Sequence, residues 1–156
     1  MAQSNNSSKT RLKEHKKLMK SLRKQILFCL SHYGSRAVVF VSRRSKQQVI
    51  AANIKEICND KKIKCRITAI RETRDQCTVY FDNNSYITIC PLIESMRGFR
   101  VHCCLIDGEI DEEIVNVIAK PMIMPFYIEY PRIIEKITGK PYRYKYPKNA
   151  IRVIKM

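Results

Sequence analysis

The sequence predicts an α/β domain with a mostly parallel sheet and flanking helices, and three features point to it. Two runs, Ala37–Ser42 (A-V-V-F-V-S) and Val101–Ile106 (V-H-C-C-L-I), are short and almost continuously apolar, as strands covered on both faces are. The segments on either side of the first run carry apolar residues at helical spacing, so the chain begins helix, buried strand, helix. Between the second helix and the second buried run lie strand-like segments joined by Asp82-Asn83-Asn84-Ser85, whose Asp and Asn tolerate turn geometry.

In chain order, residues 1–10 read as a disordered, basic tail without the apolar stretch and cleavage site of a signal peptide. Residues 11–156 read as one domain. A chain of 156 residues, 45% hydrophobic, supports one core and is short for two. Arg11 to Tyr33 places Leu12, Leu18, Leu22, Ile26 and Leu30 at helical spacing, basic in its first half, with Gly34 as a stop. After the strand Ala37–Ser42, Lys46 to Asn59 carries Val49, Ile50, Ile54 and Ile57 as a second helix. Lys64–Ile70, Gln76–Phe81 and Tyr86–Cys90 read as strands, with Thr78–Phe81 and Tyr86–Cys90 forming a hairpin. Asp111 to Ala119 reads as a helix whose Asp111, Glu112 and Glu113 suit its positive end, broken by Pro121 and Pro125. A short helix at Ile133–Thr138, a basic, tyrosine-rich stretch at Lys140–Lys148 and a strand at Ala150–Ile154 complete the order. No run reaches the roughly 18 apolar residues of a membrane span, so none is expected.

The formal net charge of +16 implies a polyanionic partner, most often nucleic acid. The seven cysteines form no C-x-x-C pair, and most sit in apolar runs. They read as buried free thiols in a reducing cytosol, not as zinc ligands or disulfides. His15, His32 and His102 are scattered and take no catalytic assignment.

The segment Cys103–Glu109 (C-C-L-I-D-G-E) is the most informative chemically. A buried parallel strand that ends in an acid delivers a carboxylate to the edge where such sheets bind ligands, as a Walker B strand does. The same pattern also describes an ordinary strand-to-loop turn. The surrounding order favours the first reading. It runs A-V-V-F-V-S-R-R-S-K-Q-Q-V-I-A-A-N-I, then T-V-Y-F-D-N-N-S-Y-I-T-I-C, then M-R-G-F-R-V-H-C-C-L-I-D, then I-A-K-P-M-I. From about Lys20 to Ile123 this resembles the ATPase domain of tailed-bacteriophage terminase large subunits, the motors of viral DNA packaging.

The resemblance implies a P-loop-NTPase-like (ASCE-type) fold, here incomplete, and roles for particular residues. Asp107 would hold Mg²⁺ through water, and Glu109 would orient the attacking water. Arg97, in the Arg-Gly position, would act as an arginine finger toward a neighbouring subunit. Lys20 and Ser21 would stand at the phosphate loop. ATP and Mg²⁺ are the implied cofactors. Double-stranded DNA, the portal and the small terminase subunit are the implied partners, without a membrane, in the cytoplasm of an infected bacterial host. Against the family pattern, Gly108 separates the two acids, and Met19 replaces a loop glycine in a stretch lacking G-x-x-x-x-G-K-[ST]. The family's coupling segment and acidic nuclease domain are not found before Met156. The expectation is therefore a truncated or split terminase piece with impaired ATP hydrolysis, inactive alone and completed by a second chain, or a relative that has lost catalysis. The alternative is an unrelated small basic nucleic-acid-binding protein. It would use the Arg11–Lys24 helix for phosphates and Tyr142, Tyr144 and Tyr146, interleaved with Arg143, Lys145 and Lys148, for bases.

Overall fold

The structure, a computed structural model, describes residues 2–124 and 149–156. The expected helix at Ile133–Thr138, the break at Pro125 and the tyrosine-rich stretch lie outside the described residues.

A six-stranded mixed sheet, in the order β2-β3-β4-β1-β5-β6, organises the chain. Its strands are β1 (Arg36–Val41), β2 (Ile67–Glu72), β3 (Cys77–Phe81), β4 (Tyr86–Pro91), β5 (Cys103–Asp107) and β6 (Ile151–Ile154). The two buried runs are parallel neighbours, with Ala37 opposite Cys103 and Phe40 opposite Ile106. β4 and β6 extend the parallel part on either side, while β3 pairs antiparallel with both β2 and β4. The expected parallel core and inserted hairpin are therefore present in one sheet.

Side chains alternate along each strand, and this splits the core into two clusters. Ala37, Val39, Val41, Cys103 and Leu105 face one side. There they pack against Leu18, Leu22, Ile26 and Cys29 of α1 (Ala2–Ser31) and Ile50, Ile54 and Ile57 of α2 (Arg44–Cys58). Val38, Phe40, Cys104 and Ile106 face the other side, against Val115, Ile118, Ala119 and Met122. Fully burying residues such as Leu22 and Ile26 contributes about 1.5–3 kcal/mol each. This explains why β1 and β5 lack polar alternation: both faces of the sheet are covered.

Helix α1 starts at Ala2, ahead of the Arg11 expected from the apolar spacing. The polar residues before Arg11 include no glycine or proline to stop a helix, and their lack of periodicity hides it. Its other end is closed by the hairpin. Ser85 Oγ and Asn83 Nδ2 donate to Cys29 O at 2.7 and 2.8 Å, and Arg66 Nη1 donates to Leu30 O at 3.1 Å. These bonds occupy carbonyls that have no partner within the helix. Asn84 takes the left-handed conformation that lets the tip turn.

Three local features differ from expectation. Val49 is exposed, and Gln47 shares the buried face of α2 with Ile50 and Ile54. Lys61–Lys64 forms a one-turn helix, α3, capped by Asp60, so β2 begins only at Ile67. The expected helix at Asp111–Ala119 is a short α-helical turn, α4 (Glu112–Ile114), that widens into a π-helical turn, Val115–Ala119. Asp111 caps it, accepting from Glu113 N at 2.8 Å, and Pro121 sits inside a following 3₁₀ turn, Lys120–Met122. Proline is tolerated there because its missing N–H belongs to a first turn. Among the described residues no helix is long and apolar enough to cross a membrane.

Candidate functional site

Parallel pairing of β1 and β5 brings their carboxyl ends side by side, and a polar cluster forms there. Asp107, the last residue of β5, is fully buried on the α2 face of the sheet. Ser42 follows β1, and Lys46 stands in the first turn of α2. Asp107 Oδ2 accepts from Ser42 Oγ at 2.6 Å, Ser42 N at 3.1 Å and Lys46 Nζ at 2.9 Å. Its Oδ1 accepts from Glu109 N at 3.2 Å. Burial pushes this carboxyl up, but bonds from Ser42, Lys46 and the Glu109 and Ser42 amides together hold it below the usual aspartate value.

Glu109 joins the same cluster despite the intervening Gly108. The chain turns at once after β5. Gly108 N donates to Ile154 O at 2.9 Å and Ile110 N to Asp107 O at 3.0 Å. The turn swings Glu109 back, and its Oε2 comes within 3.0 Å of Lys46 Nζ and accepts from Ser42 Oγ at 3.4 Å. Arg43 Nη2 lies 3.9 Å from the same oxygen. Residues two apart share a face on an extended strand; here the chain turns directly after Asp107, and Glu109 is still returned to the same cluster.

The remaining sequence-selected residues lie elsewhere. Lys20 and Ser21 are inside α1, where backbone amides are taken by the helix's own bonds. Ser21 is buried beside Gln25, Cys103 and Leu105, and Lys20 is exposed. Among the described residues α1 runs unbroken from Ala2 through this pair, so no loop stands before it to wrap a phosphate. Arg97 pairs with Glu94 at 3.1 Å and stands beside Ile93, Ile114 and Val117. It takes no part in the described ion pairs around Asp107. Sequence reasoning missed Ser42, Arg43 and Lys46. Their signal was the run S-R-R-S-K directly after a buried strand, which puts polar side chains at the carboxyl edge of the sheet.

The Mg²⁺ implied for Asp107 can be tested against this arrangement. Oδ2 already receives three donors, Oδ1 one, and an ammonium occupies the space shared with Glu109. The residues as arranged do not fit a divalent cation, whose ligands are oxygens with free lone pairs. Among the described residues, no three His, Cys, Asp or Glu side chains are grouped to hold a metal. An open groove of about 440 Å³ adjoins the cluster, bordered by Arg11, His15, Arg43, Lys46 and Lys155, with Val49 and Met156 as apolar lining.

No protein-family model matches the chain, and no curated protein or solved structure is detectably similar to it.

Proposed function

We propose that this chain is a DNA-engaging portion of a packaging-type ATPase domain, of the terminase large-subunit kind, that does not hydrolyse ATP by itself. The observation that carries the reading is the meeting of Ser42, Lys46, Asp107 and Glu109 at the carboxyl ends of adjacent parallel strands. Nucleotide-hydrolysing α/β sheets place their acids at that edge. The DNA part is supported by α1. Lys9, Lys13, Lys16, Lys17, Lys20 and Lys24 are all exposed and fall within roughly a 100° arc of the helix, opposite Leu18, Leu22 and Ile26. Such a stripe contacts phosphates without reading bases. Loss of hydrolysis follows from the missing cradle, since phosphoryl transfer depends mostly on positioning and charge stabilisation. A second chain that supplies a phosphate loop, the portal and the small terminase subunit are the partners this reading implies. Arg97, exposed away from the cluster, would reach a nucleotide only across a subunit contact.

The alternative, a basic nucleic-acid-binding protein with no ATPase ancestry, is favoured by the helical setting of Lys20 and Ser21. The experiment pairs duplex and single-stranded oligonucleotide binding with phosphate release from Mg²⁺–ATP, using Glu109→Gln as control because Glu109 is 58% exposed and its loss spares the core. Duplex-preferring binding without turnover is expected. Turnover abolished by Glu109→Gln would show a working ATPase, and a preference for single strands would favour the alternative.

A further inference from the structure

We propose that Lys46 is the resident cation of the Asp107–Glu109 pair and closes this edge of the sheet to divalent metal ions. Its Nζ lies 2.9 Å from Asp107 Oδ2 and 3.0 Å from Glu109 Oε2, so one ammonium bridges the two carboxylates. That bridging point is where an ion shared by both acids would sit. The Lys46 side chain is only 12% exposed and rises from the first turn of α2, which Ile50 and Ile54 anchor against the sheet. It is therefore held in place by packing as well as by charge.

Two features make exchange with a metal unfavourable. The Asp107 oxygen that faces Lys46 also accepts the Ser42 hydroxyl and amide, so a metal would compete with three fixed donors. A metal that displaced the ammonium would leave it beside a doubly charged ion in a poorly solvated place. The charges already balance: two carboxylates face Lys46 and, 3.9 Å from Glu109, Arg43. A bare acid pair has an unmet need for a cation, and this pair does not. The inference stands on the ion-pair geometry and holds whether or not the chain descends from a packaging motor.

The test is Mn²⁺ titration of the full chain, followed by electron paramagnetic resonance. The wild-type chain is expected to show no saturable site that depends on Glu109. Lys46→Ala is expected to gain one, binding roughly tenfold or more tighter, which the double variant Lys46→Ala/Glu109→Gln loses again. Wild-type binding that Glu109→Gln removes would overturn the proposal, as would a folded Lys46→Ala chain with no gained site. If Lys46→Ala does not fold, Lys46→Gln takes its place. The comparison of wild type with Glu109→Gln can overturn the proposal without either.

Discussion

At the scale of single residues, His102 is held neutral by its surroundings. It precedes β5, is 6% exposed, and its Nδ1 accepts the Arg36 amide at 2.9 Å, which requires that nitrogen to be unprotonated. Burial, with the charges of Arg36 and His32 adding to it, pushes the imidazole down to about 4. The folded value lies below the unfolded one, so the unfolded chain binds the proton first as pH falls. The contribution to stability is complete above the unfolded value of about 6.5, declines below it and is lost by about pH 4. The span corresponds to a contribution on the order of 3 kcal/mol. Urea denaturation across this window should show falling stability for the wild type and a flatter dependence for His102→Asn, which keeps an acceptor but does not titrate. Equal slopes would mean that another group carries the loss. Asp107, whose carboxyl is held below the usual value, loses its contribution only at lower pH, so the two are separable. The thiols of Cys29, Cys90 and Cys104 are raised by burial to about 12, in keeping with their reading as small core residues.

At the scale of elements, glycine positions separate backbone demand from mere space. Gly34 has φ +64° at the exit of α1, and its amide donates to Asn83 O at 2.9 Å, tying the helix end to the hairpin tip. A Cβ there meets nothing within 4 Å, so Gly34→Ala should cost about 1 kcal/mol through backbone conformation alone. Gly108 is not left-handed, and an added Cβ would sit 3.6 Å from Ile154 O, an ordinary contact. Gly108→Ala should therefore stay within about 0.5 kcal/mol of wild type in thermal or urea unfolding. A larger loss at Gly108 than at Gly34 would contradict this account of the turn. The same elements show what could be read from sequence. The strands β1 and β5 were legible because burial on both faces leaves a continuous apolar run, and Asp107 was legible as the acid ending one. The start of α1 was not, since polar residues can continue a helix without leaving a period. The run after β1 marked Ser42 and Lys46 as polar residues at the carboxyl edge of the sheet, but only the lateral pairing of β1 with β5, distant in sequence, brings them to Asp107. The Asn83–Ser85 tip was legible as a turn, but its capping of α1 appears only in three dimensions.

At the scale of the molecule, the net charge of +16 is a bulk property, whereas the lysines of α1 are a placed one. Lys9 to Lys24 spans about 22 Å of helix, long enough to follow several phosphates of a duplex. A charge excess alone would attract DNA to any basic surface. A docking face, in contrast, makes the identity of the lysines matter, and α3 offers a matched comparison. Lys61, Lys62 and Lys64 are also exposed, but lie together on a single turn. Replacing Lys13, Lys16 and Lys20 by Gln removes the same charge as replacing Lys61, Lys62 and Lys64, and neither set touches the core. Each phosphate contact contributes about 0.9 to the slope of log K against log salt, so the α1 set should reduce the slope by about 2 to 3. The α3 set should lower affinity modestly through long-range attraction and leave the slope nearly unchanged. Fluorescence anisotropy with a labelled duplex, between roughly 50 and 200 mM salt, measures both quantities. Equal slope changes for the two sets would mean that DNA sees a diffuse cationic surface, and that the stripe on α1 reflects only a helix whose outer face is wet.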